Sequence, residues 1–212
     1  MSLYSVDLAP TNASAVTVCA SQSPGAGAIN LTGSAVTGGV ATLGAAQLVT
    51  LVSGGVDTGI TFTITGTDAD GKAVTDAVTG ASAGTATSVK HFKTVTSITH
   101  TGSVAGTLTS GNSIDAVSPS FLPFRQASPG KISLFVRLTS GTATYETQDA
   151  YSNDVTAAQE GATWISSTVF TGKTASFAGA YGDLYPYAIR LRTTASSTGV
   201  LRGHFVIAPA GQ

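Results

Sequence analysis

Residues 60–79 restrict the fold more than any other stretch of the chain. Ile60, Phe62 and Ile64 alternate with Thr61, Thr63 and Thr65, the period of two that marks a strand with one buried face. Asp68, Ala69, Asp70 and Gly71 follow with turn chemistry, and residues 73–79 return as a second strand rich in valine and threonine. The segment therefore reads as a β-hairpin. A slip of one residue would expose Phe62 and bury Thr63, so the hydrophobic pattern fixes the register.

Strand-length apolar runs recur on both sides of this hairpin. Residues 16–20, 28–31, 40–43 and 48–52 are separated by Pro24-Gly25, Gly33-Ser34 and Gly38-Gly39, and Gly54-Gly55 follows the last of them. Such pairs favour turns and bends. No window shows a helical period, and residues 41–51 are the one place where a short helix fits. After the hairpin, residues 89–95, 97–100 and 104–108 read as closing strands. Turn signals every 8 to 12 residues or so predict an antiparallel sandwich.

The composition changes after residue 120. Residues 1–120 hold three aromatics (Tyr4, Phe62, Phe92), whereas residues 121–212 hold twelve. Six acids against three lysines in the first part give way to five acids against seven bases in the second. Between them, Pro119, Pro123 and Pro129 impose extended backbone. The chain is thus predicted to be all-β, with two antiparallel β-sandwich domains (Ig-like or jelly-roll-like) at residues 1–117 and 131–212. Residues 118–130 form a connector whose Phe121, Leu122 and Phe124 call for packing on a domain or a partner. Residues 132–138 alternate as a strand, with Ser140-Gly141 turning into a partner strand at 142–148. A loop at 149–162 carries at most one helical turn around residues 155–160. Further strands are predicted at 164–169, 175–178, 187–193 and 200–207. Arg190 and Arg192 fall opposite Ile189 and Leu191, which predicts one wet or partner-facing side.

Charged residues make up 10% of the chain, against about 25% in ordinary soluble domains. A surface poor in charge suits a subunit that buries much of its exterior against neighbours. The net charge of −1 gives no basic face for nucleic acid. No run approaches the roughly 18 apolar residues that cross a membrane, and residues 1–7 lack the charged and apolar regions of a secretory signal. One cysteine, Cys19, cannot form an internal bridge and reads as a small core residue. Folding in a reducing cytoplasm follows.

Few residues arrange themselves for chemistry. Asp68, Asp70 and Gly71 have the opening spacing of a calcium loop, but residue 79, where that loop needs a glutamate, is threonine, so a plain turn is expected. His91, His100 and His204 share no metal-ligand spacing. There is no nucleophile elbow, and Glu146 and Glu160, the only glutamates, show no sign of forming a hydrolytic pair. No catalytic residue, cofactor or metal is expected. Trp164, Tyr181, Tyr185 and Tyr187 fit a sugar-stacking platform, and fit core or interface packing equally well. Arg190, Arg192 and Arg202 fit pairing with acids of a neighbouring subunit or plain solvated charges.

The run from Asp57 through Phe62, Ile64, Asp68 and Gly71 to Gly80, with Gly84 to Thr87 and Phe92 to Ser97, resembles a module of structural proteins in tailed-bacteriophage virions. Thr163-Trp164, residues 187–193 and residues 198–203 are similar to β-sandwich domains of phage head, neck and tail proteins. The resemblance implies a non-enzymatic, oligomeric particle component located in the virion after assembly in the host cytoplasm. Its foremost role would be capsid decoration or cementing, by contact with the major capsid protein or other virion proteins as a trimer or ring. Neck, tail or fibre subunits and a carbohydrate-binding attachment module are the alternatives, and neither nucleic acid nor membrane is an expected partner.

Overall fold

The computed structural model describes residues 2–123, 129–181, 186–195 and 199–209. Fifteen strands are present among them: β1 (Ser2–Leu8), β2 (Ser14–Gln22), β3 (Gly27–Ala28), β4 (Val36–Thr37), β5 (Val40–Ser53), β6 (Thr61–Thr67), β7 (Ala73–Thr79) and β8 (Thr85–His100). They continue with β9 (Leu108–Val117), β10 (Pro129–Ser140), β11 (Thr144–Ala150), β12 (Ile165–Ser166), β13 (Phe177–Ala180), β14 (Ala188–Ala195) and β15 (Val200–Pro209). The all-β, antiparallel class expected from the sequence is the class observed. Strand pairing does not partition into two sandwiches, however: it gives one sheet of four strands and one of eleven.

The chain divides into two compact units, residues 11–114 and a second made of residues 1–10 with 115–212. The first strand thus belongs with the last, because all seven residues of β1 pair with β15, from Ser2 with Ile207 to Leu8 with Leu201. Residues 118–123, the start of the proline-rich segment, also run with this second unit. Phe121 bridges to Ile189 and stacks between Tyr4 and Phe205, with centroids 4.9 and 4.5 Å away. Phe124 lies outside the described residues.

In the unit of residues 11–114, β6 lies between β7 and β8, with Phe62 opposite Val78 on one side and His100 on the other. Phe62 and Ile64 are fully buried with Leu43, Leu51, Phe92 and Ile98, so the inward face is the one the alternation specifies. The turn between β6 and β7 is closed by Asp68. Its Oδ1 accepts from the amides of Asp70 and Lys72 at 3.0 and 2.9 Å, and Gly71 takes the positive φ of 75° that the turn requires. Gly66 on β6 has a different reason: a Cβ there would lie 1.8 Å from the Thr94 carbonyl oxygen.

Several local expectations are corrected. Residues 41–51 form no helix; they lie within the fourteen-residue β5, which joins two runs predicted as separate strands through a change of register between Thr42 and Gln47. The runs at 89–95 and 97–100 likewise fuse into β8. Residues 132–148 are not a hairpin. β10 pairs with β13 and β15, while β11 pairs with β12 and β14, so the chain changes sheets after Ser140. A period of two fixes which face of a strand is buried and says nothing about its neighbour. The strand predicted at 164–169 shrinks to the two residues of β12.

In the second unit, β1, β15, β10 and β13 form one sheet, and side chains of β14 pack on its inner face. A Cβ at Gly203 of β15 would lie 3.0 Å from Leu191 Cδ1 and 3.3 Å from Val6 Cγ1. Ile132, Leu134, Val136, Leu201, Phe205, Ile189 and Leu191 are all buried here.

Phe62→Ala is expected to cost about 3 to 5 kcal/mol, the usual loss for a buried aromatic, in equilibrium denaturant unfolding. A loss below about 1 kcal/mol would contradict the packing described for β6.

Candidate functional site

The polar side chains of the second unit concentrate on β11 and β14. Their register sets Glu146 opposite Arg192, Gln148 opposite Arg190 and Ala150 opposite Ala188 on one face. Thr147 opposite Leu191 and Asp149 opposite Ile189 occupy the other. Alternation therefore sends Arg190 and Arg192 to one side and Asp149 to the side shared with the apolar interior.

The arginine face is covered at Arg190, where a wet or partner-facing side was expected. Residues 151–164 fold over it as a loop with two short 3-10 turns, Asn153–Thr156 and Gln159–Gly161, where at most one helical turn around residues 155–160 was expected. Arg190 is 4% exposed. Its Nε donates to Gln148 Oε1 at 2.9 Å, and its Nη1 donates to Gln159 Oε1 at 2.8 Å and to Glu160 Oε1 at 2.6 Å. The Trp164 indole lies over the guanidinium, 4.3 Å from it, a cation–π contact strengthened by exclusion of water. Burial pulls the Arg190 pKa below its usual value, against the opposing attraction of Glu160. Arg192 is half-buried and forked onto Asp115, with Nε to Oδ1 at 2.9 Å, and its Nη1 donates to Glu146 Oε1 at 3.3 Å. The Asp115 bond is the main cause that raises its pKa. Glu146 also accepts from Ser166 Oγ at 3.0 Å and Thr171 Oγ1 at 3.4 Å.

On the opposite face, Asp149 is 5% exposed. The Tyr181 hydroxyl lies 2.9 Å from Asp149 Oδ1 and 3.0 Å from Thr147 Oγ1. One hydroxyl proton cannot serve both oxygens, so when Tyr181 donates to the ionised carboxylate it accepts from Thr147. Burial pushes the Asp149 pKa up to about 6, offset in part by the Tyr181 bond. The Tyr181 pKa is raised by burial first and by the Asp149 charge second. The Tyr181 ring stacks on Phe170, 5.5 Å between centroids.

The expected aromatic platform is thus distributed over different surroundings. Tyr181 is buried on the Asp149 side. Trp164 and Tyr187 are half-buried around Ala150, Val155 and Ala188, and the Trp164 Nε1–H donates to the Gln159 carbonyl at 2.8 Å. Tyr185 lies outside the described residues. Arg202 holds Asp7 of β1 in a two-pronged exposed pair, Nε to Oδ1 at 2.7 Å. Cys19 is buried. Among the described residues no group of three His, Cys, Asp or Glu side chains is placed to hold a metal ion; His91 and His100 lie on β8 and His204 on β15.

Sequence reading passed over Asp149. β11 reads Thr-Tyr-Glu-Thr-Gln-Asp-Ala with no clear alternation, and the signal that identifies Asp149 is its parity with Tyr145 and Thr147, both fully buried. The chain matches no protein-family model, no curated protein and no solved structure.

Because the folded pKa of Asp149 lies above the unfolded value of 3.8, the neutral carboxyl is the form that favours folding. Its contribution is fully present below pH 3.8 and is lost as the pH rises to about 6. Two pKa units correspond to about 3 kcal/mol. Asp149→Asn is therefore expected to stabilise the chain by about 2 to 3 kcal/mol at pH 7.5 and by almost nothing at pH 4. Denaturant unfolding at both pH values measures the difference, and equal effects at both would contradict a carboxylate ionised in the interior.

Proposed function

We propose that the chain is a non-enzymatic structural component of a tailed-bacteriophage virion, a capsid decoration or cement protein that binds across contacts between major capsid subunits. The observation that carries this reading is how the chain uses its few charges. Arg190, Arg192, Glu146, Glu160 and Asp115 bond to one another to hold a loop on β11 and β14, while Leu3, Val56, Val89, Phe135, Tyr151 and Ile165 stand exposed. Polar groups spent inside and apolar groups left outside suit a subunit that works by burying surface against neighbours. The likeness of the β6–β7 hairpin to virion modules supports the same reading, as does an antiparallel β architecture with sandwich-like packing. Cementing acts through mass action: a protein that binds the assembled shell and not its separated subunits raises the free energy of disassembly.

A sugar-binding role has weaker support. Stacking on a glycan needs an open aromatic face, and the Tyr181 ring is committed to Phe170 in the interior.

Quantitative mass spectrometry of purified particles from a phage that encodes the chain tests the proposal. The expected result is a fixed copy number per particle, comparable with that of capsid subunits, together with genome release at lower temperature from particles that lack the chain. Absence from purified particles would overturn it.

A further inference from the structure

Strand alternation turns one face of the four-stranded sheet toward β14 and the other outward. The register arranges the outward side chains in rows. Leu3 lies beside Val206 in one row, and His204 lies beside Phe135 in the next. Leu3 is 64% exposed and Phe135 42%, and the Phe135 and His204 rings stack with 12° between their planes. The outward side of the β6–β7 hairpin, by contrast, presents threonine and alanine.

The third row carries charge. Arg202 of β15 sits between Asp7 on β1 and Arg137 on β10. Asp7 accepts from Arg202 Nε at 2.7 Å and from Nη2 at 2.9 Å. The Arg137 side chain is exposed and its guanidinium has no acid or hydrogen-bond partner among the described residues. Like charges directly opposite each other on neighbouring strands destabilise a sheet. The row therefore holds one positive charge more than it neutralises, and a carboxylate between Arg137 and Arg202 would remove the repulsion.

This chemistry limits what can cover the face. A single surplus guanidinium suits a single carboxylate, whereas nucleic acid and anionic membranes are bound through clusters of basic residues. A second copy of the same face brings no free acid, because Asp7 is already held by Arg202. Exposed aromatic and arginine side chains are the types enriched where proteins meet, and Leu3 and Val206 extend the apolar part of the patch.

We propose that the outer face of the four-stranded sheet docks on an acidic patch of a neighbouring shell subunit. A carboxylate of that subunit enters between Arg137 and Arg202, while its apolar side chains cover Leu3 and Phe135. The identity of the neighbour rests on the virion reading, and the need for a carboxylate rests on the third row itself. Four strands about 4.8 Å apart and seven residues long at about 3.4 Å each span roughly 400 Å², about half of what one partner gives to a standard interface. A contact this small depends strongly on its ion pair.

The test uses phage that encodes the chain, grown with Arg137→Glu, Arg137→Lys or Lys72→Glu in its gene, and counts copies per purified particle by quantitative mass spectrometry. Lys72 is an exposed lysine of the other unit, so its reversal makes the same change in net charge away from the face. In Arg137→Glu the new acid stands opposite Arg202, which favours strand pairing, so a loss of copies reports the contact and not the fold. The expected result is at least about a tenfold loss of copies with Arg137→Glu, from like charges meeting across the contact, with Arg137→Lys and Lys72→Glu within about twofold of the parent. Parental copy number in Arg137→Glu, or an equal loss in Lys72→Glu, would overturn the docking face and leave the virion reading standing. A parent chain absent from purified particles would overturn both. A purified parent that dimerises, with the dimer lost only in Arg137→Glu, would give the face to a second copy and overturn the acidic neighbour.

Discussion

Arg190 is the residue on which the second unit's arrangement depends. β14 has to present Ile189 and Leu191 to the interior, and strand alternation then forces Arg190 onto the opposite face. Left in water the arginine would require nothing further. Covered by residues 151–164, it needs an acid and further acceptors, because an uncompensated buried charge is among the most costly features a fold can carry. Glu160, Gln159 and Gln148 supply them at 2.6 to 2.9 Å. The same contacts fasten the loop, and the loop extends the fastening: Gln159 Nε2 donates to the Ser118 carbonyl at 3.1 Å, and Ser118 Oγ accepts from the Leu191 amide at 3.0 Å. The start of the proline-rich segment, the 3-10 turns and β14 are thereby held by one connected set of bonds.

The two faces of β11 and β14 differ in how their polar groups are satisfied. On the arginine face each charge meets an opposite charge, as Arg192 meets Asp115 and Glu146. On the interior face Asp149 meets a hydroxyl instead, and burial moves its pKa up because the bond from the phenol offsets only part of the loss of water. What the arrangement does is hold chain segments in place.

The legible part of the sequence was the local part. The alternation of Phe62 and Ile64, the Asp68 turn and the burial of Phe121 follow from side-chain period and turn chemistry, which act over a few residues. Pairing was less legible. Residues 132–148 carry a good strand, a glycine turn and a second strand, yet β10 and β11 part company, because partner choice depends on residues such as Phe177 and Leu201 that are distant in sequence. The arginine side of β14 was misread for a related reason. Alternation separates Arg190 from Ile189, but only the loop carrying Glu160, thirty residues earlier, decides that this face is dry. Asp149 was missed because nothing in β11 itself marks which parity is interior.

Amide hydrogen exchange in Arg190→Met against the parent protein tests the central claim most directly. Methionine keeps much of the buried apolar stem and removes the charged head. If Arg190 fastens the loop, protection of residues 153–164 is lost in the variant while that of β5 and β8, in the other unit, is retained. Unchanged protection of residues 153–164 would contradict the account, since the loop would then be held by something other than Arg190.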